Sequence, residues 1–131
     1  MPHRILVVDD HEPMRRKIRS LLESEGLDVC AEAANGREAI EKTKEYMPDL
    51  ATLDLSMPVM SGFEAIPEML KRAPQIKIVI FTVDDAEELR QHAFRLGVRA
   101  YVAKSESLEA LLAEVRKLLQ QHEARNRSNT A

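Results

Sequence analysis

Five times along this chain a short apolar run is followed by an amphipathic stretch of helical period, with turn residues between the pairs. A run of that kind is buried on both faces, so the pattern predicts an α/β architecture: a doubly wound parallel sheet of five strands flanked by five helices. The first strand is Ile5-Leu6-Val7-Val8, and Met14, Ile18, Leu21 and Leu22 follow at helical spacing, with Pro13 suited to a first turn and Gly26 to a helix end. Residues 27–33 make the second strand. Asn35-Gly36-Arg37-Glu38 has the form of a capping box and opens a helix whose Ala39, Ile40, Thr43, Tyr46 and Met47 share one face. The third strand, 50–54, runs into the loop 55–60, and Ser61-Gly62-Phe63-Glu64 starts a third helix that Pro67 is expected to kink. Residues 76–83 are the most apolar and β-branched segment and are expected to be the central strand. Asp84 or Asp85 is expected to cap a helix bearing Leu89, Ala93 and Leu96, with Gly97 as its stop. Residues 100–103 form the last strand, and Leu108, Leu111, Leu112, Val115, Leu118 and Leu119 mark the strongest amphipathic helix. Periodicity ends after Gln121, so 1–121 is expected to be one domain and 122–131 a polar tail or the start of a linker.

Composition narrows the classes of function. A chain of 131 residues with 44% hydrophobic and 31% charged residues can bury roughly two-thirds of its unfolded surface without a disulfide or zinc staple. A net charge of −3 argues against a broad cationic surface for nucleic acid or membrane. Apolar runs are too short for a signal peptide core or a membrane span, which makes the cytoplasm the expected address. Cys30, the single cysteine, is expected to serve as a small core hydrophobe. The four glycines cannot form a Walker A or GxGxxG loop, and His3, His92 and His122 form no ligand cluster.

In an open parallel sheet all strand carboxyl ends share one edge, and ligands bind there where the strand order reverses. The residues at those ends are Asp9 and Asp10, Asp54, Thr82 and Lys104. Three acids close together repel one another unless a cation intervenes, and an all-oxygen donor set suits Mg²⁺ or Mn²⁺. A carboxylate beside such a metal can attack phosphorus while the metal and a lysine offset charge on the phosphoryl oxygens, giving an aspartyl phosphate. Taken singly these acids read as caps, Asp10 for the first helix and Asp54 for a turn. One functional residue type on each of four strand ends is not explained by capping, and capping gives Lys104 no role.

Together Asp9-Asp10, Asp54 with its Met57-Pro58-x-Met60-x-Gly62 loop, Thr82, Tyr101 and Lys104 resemble the receiver domain of two-component response regulators, over about residues 3–121. The resemblance implies the CheY-like, flavodoxin-like strand order 2-1-3-4-5. It implies Asp54 as phosphoacceptor, with Asp9, Asp10, Asp54 and the Ser56 main-chain carbonyl as metal ligands. Thr82 and Lys104 become the phosphoryl contacts, Thr82 and Tyr101 the switch pair, and a sensor histidine kinase the donor. It implies that a homodimer or output domain reads the face around Tyr101, and that this domain makes no direct contact with nucleic acid. The Met-Pro-x-Met-x-Gly loop and the Lys-Ser ending are most similar to receivers of LuxR-type (NarL/FixJ) regulators.

Two positions depart from that family. Ser105 follows Lys104 where proline is usual, and Val83 follows Thr82 where a small residue is usual, so Val83 is expected to narrow access to the phosphoryl group. His11 is expected to be a solvated surface histidine, the basic group Arg15, Arg16, Lys17 and Arg19 a solvated helix face, and Met57 and Met60 packing residues. A competing enzyme reading, an Mg²⁺-dependent aspartyl-phosphate phosphohydrolase, would place a second Asp where this chain has Ser56 and would need a cap domain too large for this length. A flavin carrier would need Ser, Thr and Gly donors where the first loop is acidic.

Overall fold

The computed structural model describes the backbone of residues 3–130 and the side chains of residues 3–121. Five strands alternate with five helices: β1 (Arg4–Val8), α1 (Glu12–Ser24), β2 (Asp28–Ala33), α2 (Gly36–Tyr46), β3 (Leu50–Leu53), α3 (Gly62–Arg72), β4 (Lys77–Thr82), α4 (Glu87–Leu96), β5 (Ala100–Ala103) and α5 (Leu108–Thr130). The strands form one parallel sheet in the order β2-β1-β3-β4-β5. From β1 the chain steps outward to β2 and then crosses back to β3. Right-handed crossovers therefore put α1 on one face of the sheet and α2 on the other.

Two cores result, one on each face. Ile5, Val7, Leu50, Val79, Phe81, Ala100 and Val102 meet Ile18 and Leu22 of α1 and Leu111, Leu112, Val115, Leu118 and Leu119 of α5. On the opposite face Leu6, Val8, Ala51, Leu53, Ile78, Ile80 and Tyr101 meet Ala39 of α2, Ala65, Ile66 and Met69 of α3, and Ala93 of α4. This is the period-2 alternation of a sheet buried on both sides. Every residue of β3, β4 and β5 is buried. β4 is interior, as its composition predicts, although the middle strand is β3.

Local signals fix most element ends. Gly26, at φ +82°, follows α1; its N–H donates to Glu23 O and that of Leu27 to Leu22 O, the paired bonds of a Schellman stop. Ser61 and Glu64 form the reciprocal capping box of α3, and the Asn35 side chain caps α2 by accepting from Glu38 N–H. Met57 and Met60 pack against the core as expected.

Helix α3 is continuous through Pro67, which is exposed and leaves the Phe63 carbonyl without its helical donor on the solvent side. Several expectations are corrected. The N-cap of α4 is Ala86 with no side-chain bond; Asp84 instead accepts from Ala86 N–H at 3.2 Å, and Asp85 caps nothing. Met47 does not share the buried face of α2: it terminates that helix at φ +46° and is half exposed. Cys30 packs against the core as expected but is only half-buried, because it is the extra residue in a register shift on edge strand β2, where Ile5 pairs with Val29 but Leu6 with Ala31. Its Sγ points back to Ile5 O at 3.5 Å, and burial raises its thiol pKa. Helix α5 itself runs from Leu108 to Thr130.

Of the two non-glycine residues with positive φ among those described, Met47 and Val59, the β-branched Val59 carries the greater backbone strain. Val59 has φ +68° and is 72% exposed, so a β-branched side chain occupies the left-handed region with no packing to offset it. Val59→Gly is therefore expected to raise stability by about 1 kcal/mol, read as a higher urea midpoint at unchanged m-value. A lower midpoint would show that the loop gains more from the valine than the conformation costs.

Candidate functional site

The reversal of strand order lies between β1 and β3, and the chain leaves those two strands through Asp9-Asp10 and Asp54. Alternation places Asp9 and Asp54 on the α1/α5 face, in phase with Val7 and Leu50, and Lys104 follows Val102 onto the same face. One carboxylate oxygen from each of Asp9, Asp10 and Asp54 lies within 4.8 Å of the others; Asp9 and Asp54 are buried and Asp10 is exposed. Lys104 enters this cluster, its Nζ 3.3 Å from Asp54 Oδ2 in a directed hydrogen bond. The same Nζ is 2.8 Å from Asp9 Oδ2, so the ammonium pairs with both buried acids. Burial works against the charged form of Lys104, but Asp9 and Asp54 outweigh it and hold the ammonium above its ordinary pKa.

The expected strand-end acids and Lys104 come together here. Asp10 does not cap α1; His11 does, its Nδ1 accepting from Met14 N–H at 3.3 Å. His11 also donates its backbone N–H to Asp9 Oδ1 at 2.9 Å, so the amino end of α1 faces the buried acid. Asp54 Oδ1 accepts from Ser56 N–H at 3.3 Å in an Asx turn that orients its other oxygen toward Lys104. The basic face of α1 is not simply solvated either. Arg15 and Arg19 both pair with Glu32 of β2, at 2.8 and 2.6 Å, and Arg15 donates a further bond to Asp9 O at 2.8 Å. Burial would push the Glu32 carboxyl up, but the two guanidiniums hold it below its ordinary pKa. Arg15 thus positions the acid loop, a role whose only sequence signal is helical proximity to Asp9-Asp10.

Thr82 and Tyr101 fall on the other face, in phase with Ile80 and with the α4-side core. Thr82 is fully buried and its Oγ1 has no partner among the described residues. Backbone pairing carries Lys104 alongside it, with Lys104 N–H donating to Thr82 O at 2.6 Å. Tyr101 is 5% exposed, its hydroxyl donating to Asp84 O at 2.6 Å, and burial raises its phenol pKa. The turn that holds Lys104 and Ser105 is closed by Glu106, whose carboxylate accepts from Ala103 N–H while its own N–H donates to Ala103 O. The Lys104–Ser105 peptide is trans. Val83 is 71% exposed and packs into neither core.

As a donor set the cluster is all oxygen, with one exposed carboxylate, which fits a hard divalent cation. Fold and site together define a doubly wound α/β domain with a cluster of three carboxylates and a lysine at the reversal of strand order. The chain belongs to the response regulator receiver domain family, whose model matches residues 5–116. It is 36% identical to the chemotaxis protein CheY of Bacillus subtilis, over 91% of this chain and 99% of that protein. It is 40% identical to the response regulator protein VraR of Staphylococcus saprophyticus over 89% of this chain, which spans little more than half (56%) of that regulator. Among solved structures, a LuxR-family two-component response regulator from Aurantimonas superposes with a TM-score of 0.86 at 33% identity, covering 92% of this chain and 87% of the other. The chain is thus a CheY-like receiver domain of a two-component system, with LuxR-family regulators among its structural neighbours.

Gly62, which belongs both to the Met-Pro-x-Met-x-Gly loop and to the cap of α3, also shapes the site. A Cβ on Gly62 would lie 2.4 Å from Asp54 O and 2.9 Å from Leu55 Cα, so α3 reaches the end of β3 only because residue 62 has no side chain. Gly62→Ala is expected to cost about 1–3 kcal/mol, measured by urea unfolding, and to shift the Asp54 and Ser56 amide resonances. Wild-type stability with unshifted resonances would show that the backbones do not meet this closely.

Proposed function

We propose that Asp54 accepts a phosphoryl group from the phosphohistidine of a sensor histidine kinase, and that the modified domain changes its affinity for a partner. One observation carries this reading: the Asp54 carboxylate ends the middle strand 3.3 Å from Lys104, inside a cluster of three carboxylates that spans 4.8 Å. The carboxylates of Asp9, Asp10 and Asp54 with the Ser56 main-chain carbonyl would hold Mg²⁺ or Mn²⁺, which when bound offsets charge on phosphoryl oxygens.

Asp54 acts as the nucleophile. Its carboxylate oxygen forms the O–P bond as the N–P bond to the donor imidazole breaks, and the bonding pair leaves with the imidazole nitrogen. The Lys104 ammonium and the Thr82 hydroxyl donate to the phosphoryl oxygens; the unpartnered Thr82 Oγ1 supports that role. Attack of water on phosphorus restores the carboxylate, so the domain is a switch that catalyses its own modification and its reversal. When Thr82 turns to the phosphoryl group, Tyr101 responds on the same sheet face, and a second copy or an output domain reads the surface between α4 and α5. A cytoplasmic site of action follows from the kinase donor. Ser56, two residues beyond Asp54, disfavours the phosphohydrolase reading, which needs an acid there.

Intact-mass analysis after incubation with a small phosphodonor and Mg²⁺ is expected to show a single phosphoryl adduct in the wild type and none in Asp54→Asn. An adduct formed at the wild-type rate in Asp54→Asn would refute the assignment. Val83 follows the phosphoryl-contacting Thr82 with a branched, unpacked side chain, so the adduct should decay faster in Val83→Ala. Equal or slower decay there would remove Val83 from the path of water.

A further inference from the structure

Tyr101 is tied down at three points, and one residue of α4 supplies two of them. The Arg90 guanidinium carbon lies 4.7 Å from the centroid of the Tyr101 ring. Its Nη1 also donates to the main-chain carbonyl of Tyr101 at 3.3 Å. The third tie is the tyrosine hydroxyl on Asp84 O. Arg90 has no ion-pair partner among the described residues, so its charge is met by the ring face and a carbonyl. A planar guanidinium can lie over a ring and donate from its edge at once, which a lysine ammonium cannot do.

The surroundings make that clasp matter. The amino end of α4 lacks a side-chain cap, and residues 83–88 are all exposed, so little else anchors this end of the helix to the sheet. Behind it, Ala93 is the residue of α4 that is fully buried against the core. Arg90 therefore joins the helix that would present the output surface to the strand that bears the aromatic residue.

We propose that Arg90 is a positioning residue that clasps the Tyr101 ring in its inward position and ties the amino end of α4 to β5, setting the balance of the switch from outside the phosphorylation site. The inference rests on the reading of Tyr101 as the switch residue. An inward ring and a docked α4 are then one state. Loss of the clasp frees both together while leaving the Asp9, Asp54 and Lys104 cluster untouched.

The chain has two tyrosines, so incorporation of 3-fluorotyrosine gives two ¹⁹F signals, and Tyr46→Phe assigns them. The H₂O/D₂O isotope shift of the Tyr101 signal reports ring exposure. In Arg90→Met the outward population is expected to rise about fivefold, and in Arg90→Lys, which keeps the charge but not the planar fork, by a smaller factor. An unchanged Tyr101 signal in Arg90→Met, in a variant whose urea midpoint shows it folded, would overturn the clasp. Should Arg90→Met fail to fold, Arg90→Lys decides, and wild-type behaviour there is the overturning result. Addition of beryllofluoride and Mg²⁺ to the wild type separates the two claims. A Tyr101 signal that ignores this phosphoryl mimic would sink the switch reading even where the Arg90 variants move the ring.

Discussion

Three carboxylates meet at one edge of this sheet, and their mutual repulsion is the constraint to which the rest of the site is fitted. At 4.8 Å, two unit charges repel by roughly 3 kcal/mol for an effective dielectric near 20. Two of the three acids are buried, where solvent offers little relief. The fold answers with fixed positive groups: the Lys104 ammonium between Asp9 and Asp54, and the His11 amide at the start of α1 directed at Asp9. Arg15, anchored by Glu32 on β2, holds the Asp9 carbonyl from outside. The strand order follows the same logic, because Asp9 and Asp54 become neighbours only if β1 and β3 pair at the reversal, and Lys104 reaches them from the far strand of the sheet.

Strand alternation divides labour between the two faces. Asp9, Asp54 and Lys104 sit in phase with the α1/α5 core, whereas Thr82 and Tyr101 sit in phase with the core covered by α2, α3 and α4. Chemistry at the edge is thus one residue away from the opposite face. The bond from Lys104 N–H to Thr82 O joins the last residue of β4 to the lysine that follows β5, and Tyr101 lies two residues before Ala103, the partner of Thr82. Thr82 is thus one strand pairing and two residues from Tyr101, which Arg90 of α4 contacts.

Much of this was legible in the sequence for a physical reason. Strands buried on both faces must be apolar throughout, so the polar residues that end them stand out, and topology brings those ends to one edge. The side-chain cap at Asn35 and the capping box at Ser61 are local and were readable. What was hidden depends on contacts between distant segments. Cys30 sits in an apolar stretch and looks like core, but the register shift that leaves it half-buried is a property of the β1–β2 pair. The basic run on α1 looks like a solvated face until β2 places Glu32 beneath it. Asp84 and Asp85 carry a capping signal, yet α4 begins later, and Asp84 uses its carbonyl to hold Tyr101. The role of Gly62 is set by its distance from Asp54, which a capping motif does not encode.

The most direct test of the account is paramagnetic relaxation by Mn²⁺, titrated at low stoichiometry against the amide spectrum of the unmodified chain. The carboxylate cluster predicts that residues 9–11, 54–56 and 104 broaden first and together, and that Asp10→Asn weakens the effect. Broadening centred on the other exposed acids, Asp84, Asp85, Glu87 and Glu88, or spread evenly over the surface, would contradict a cation site at this edge and with it the chemistry built on Asp54.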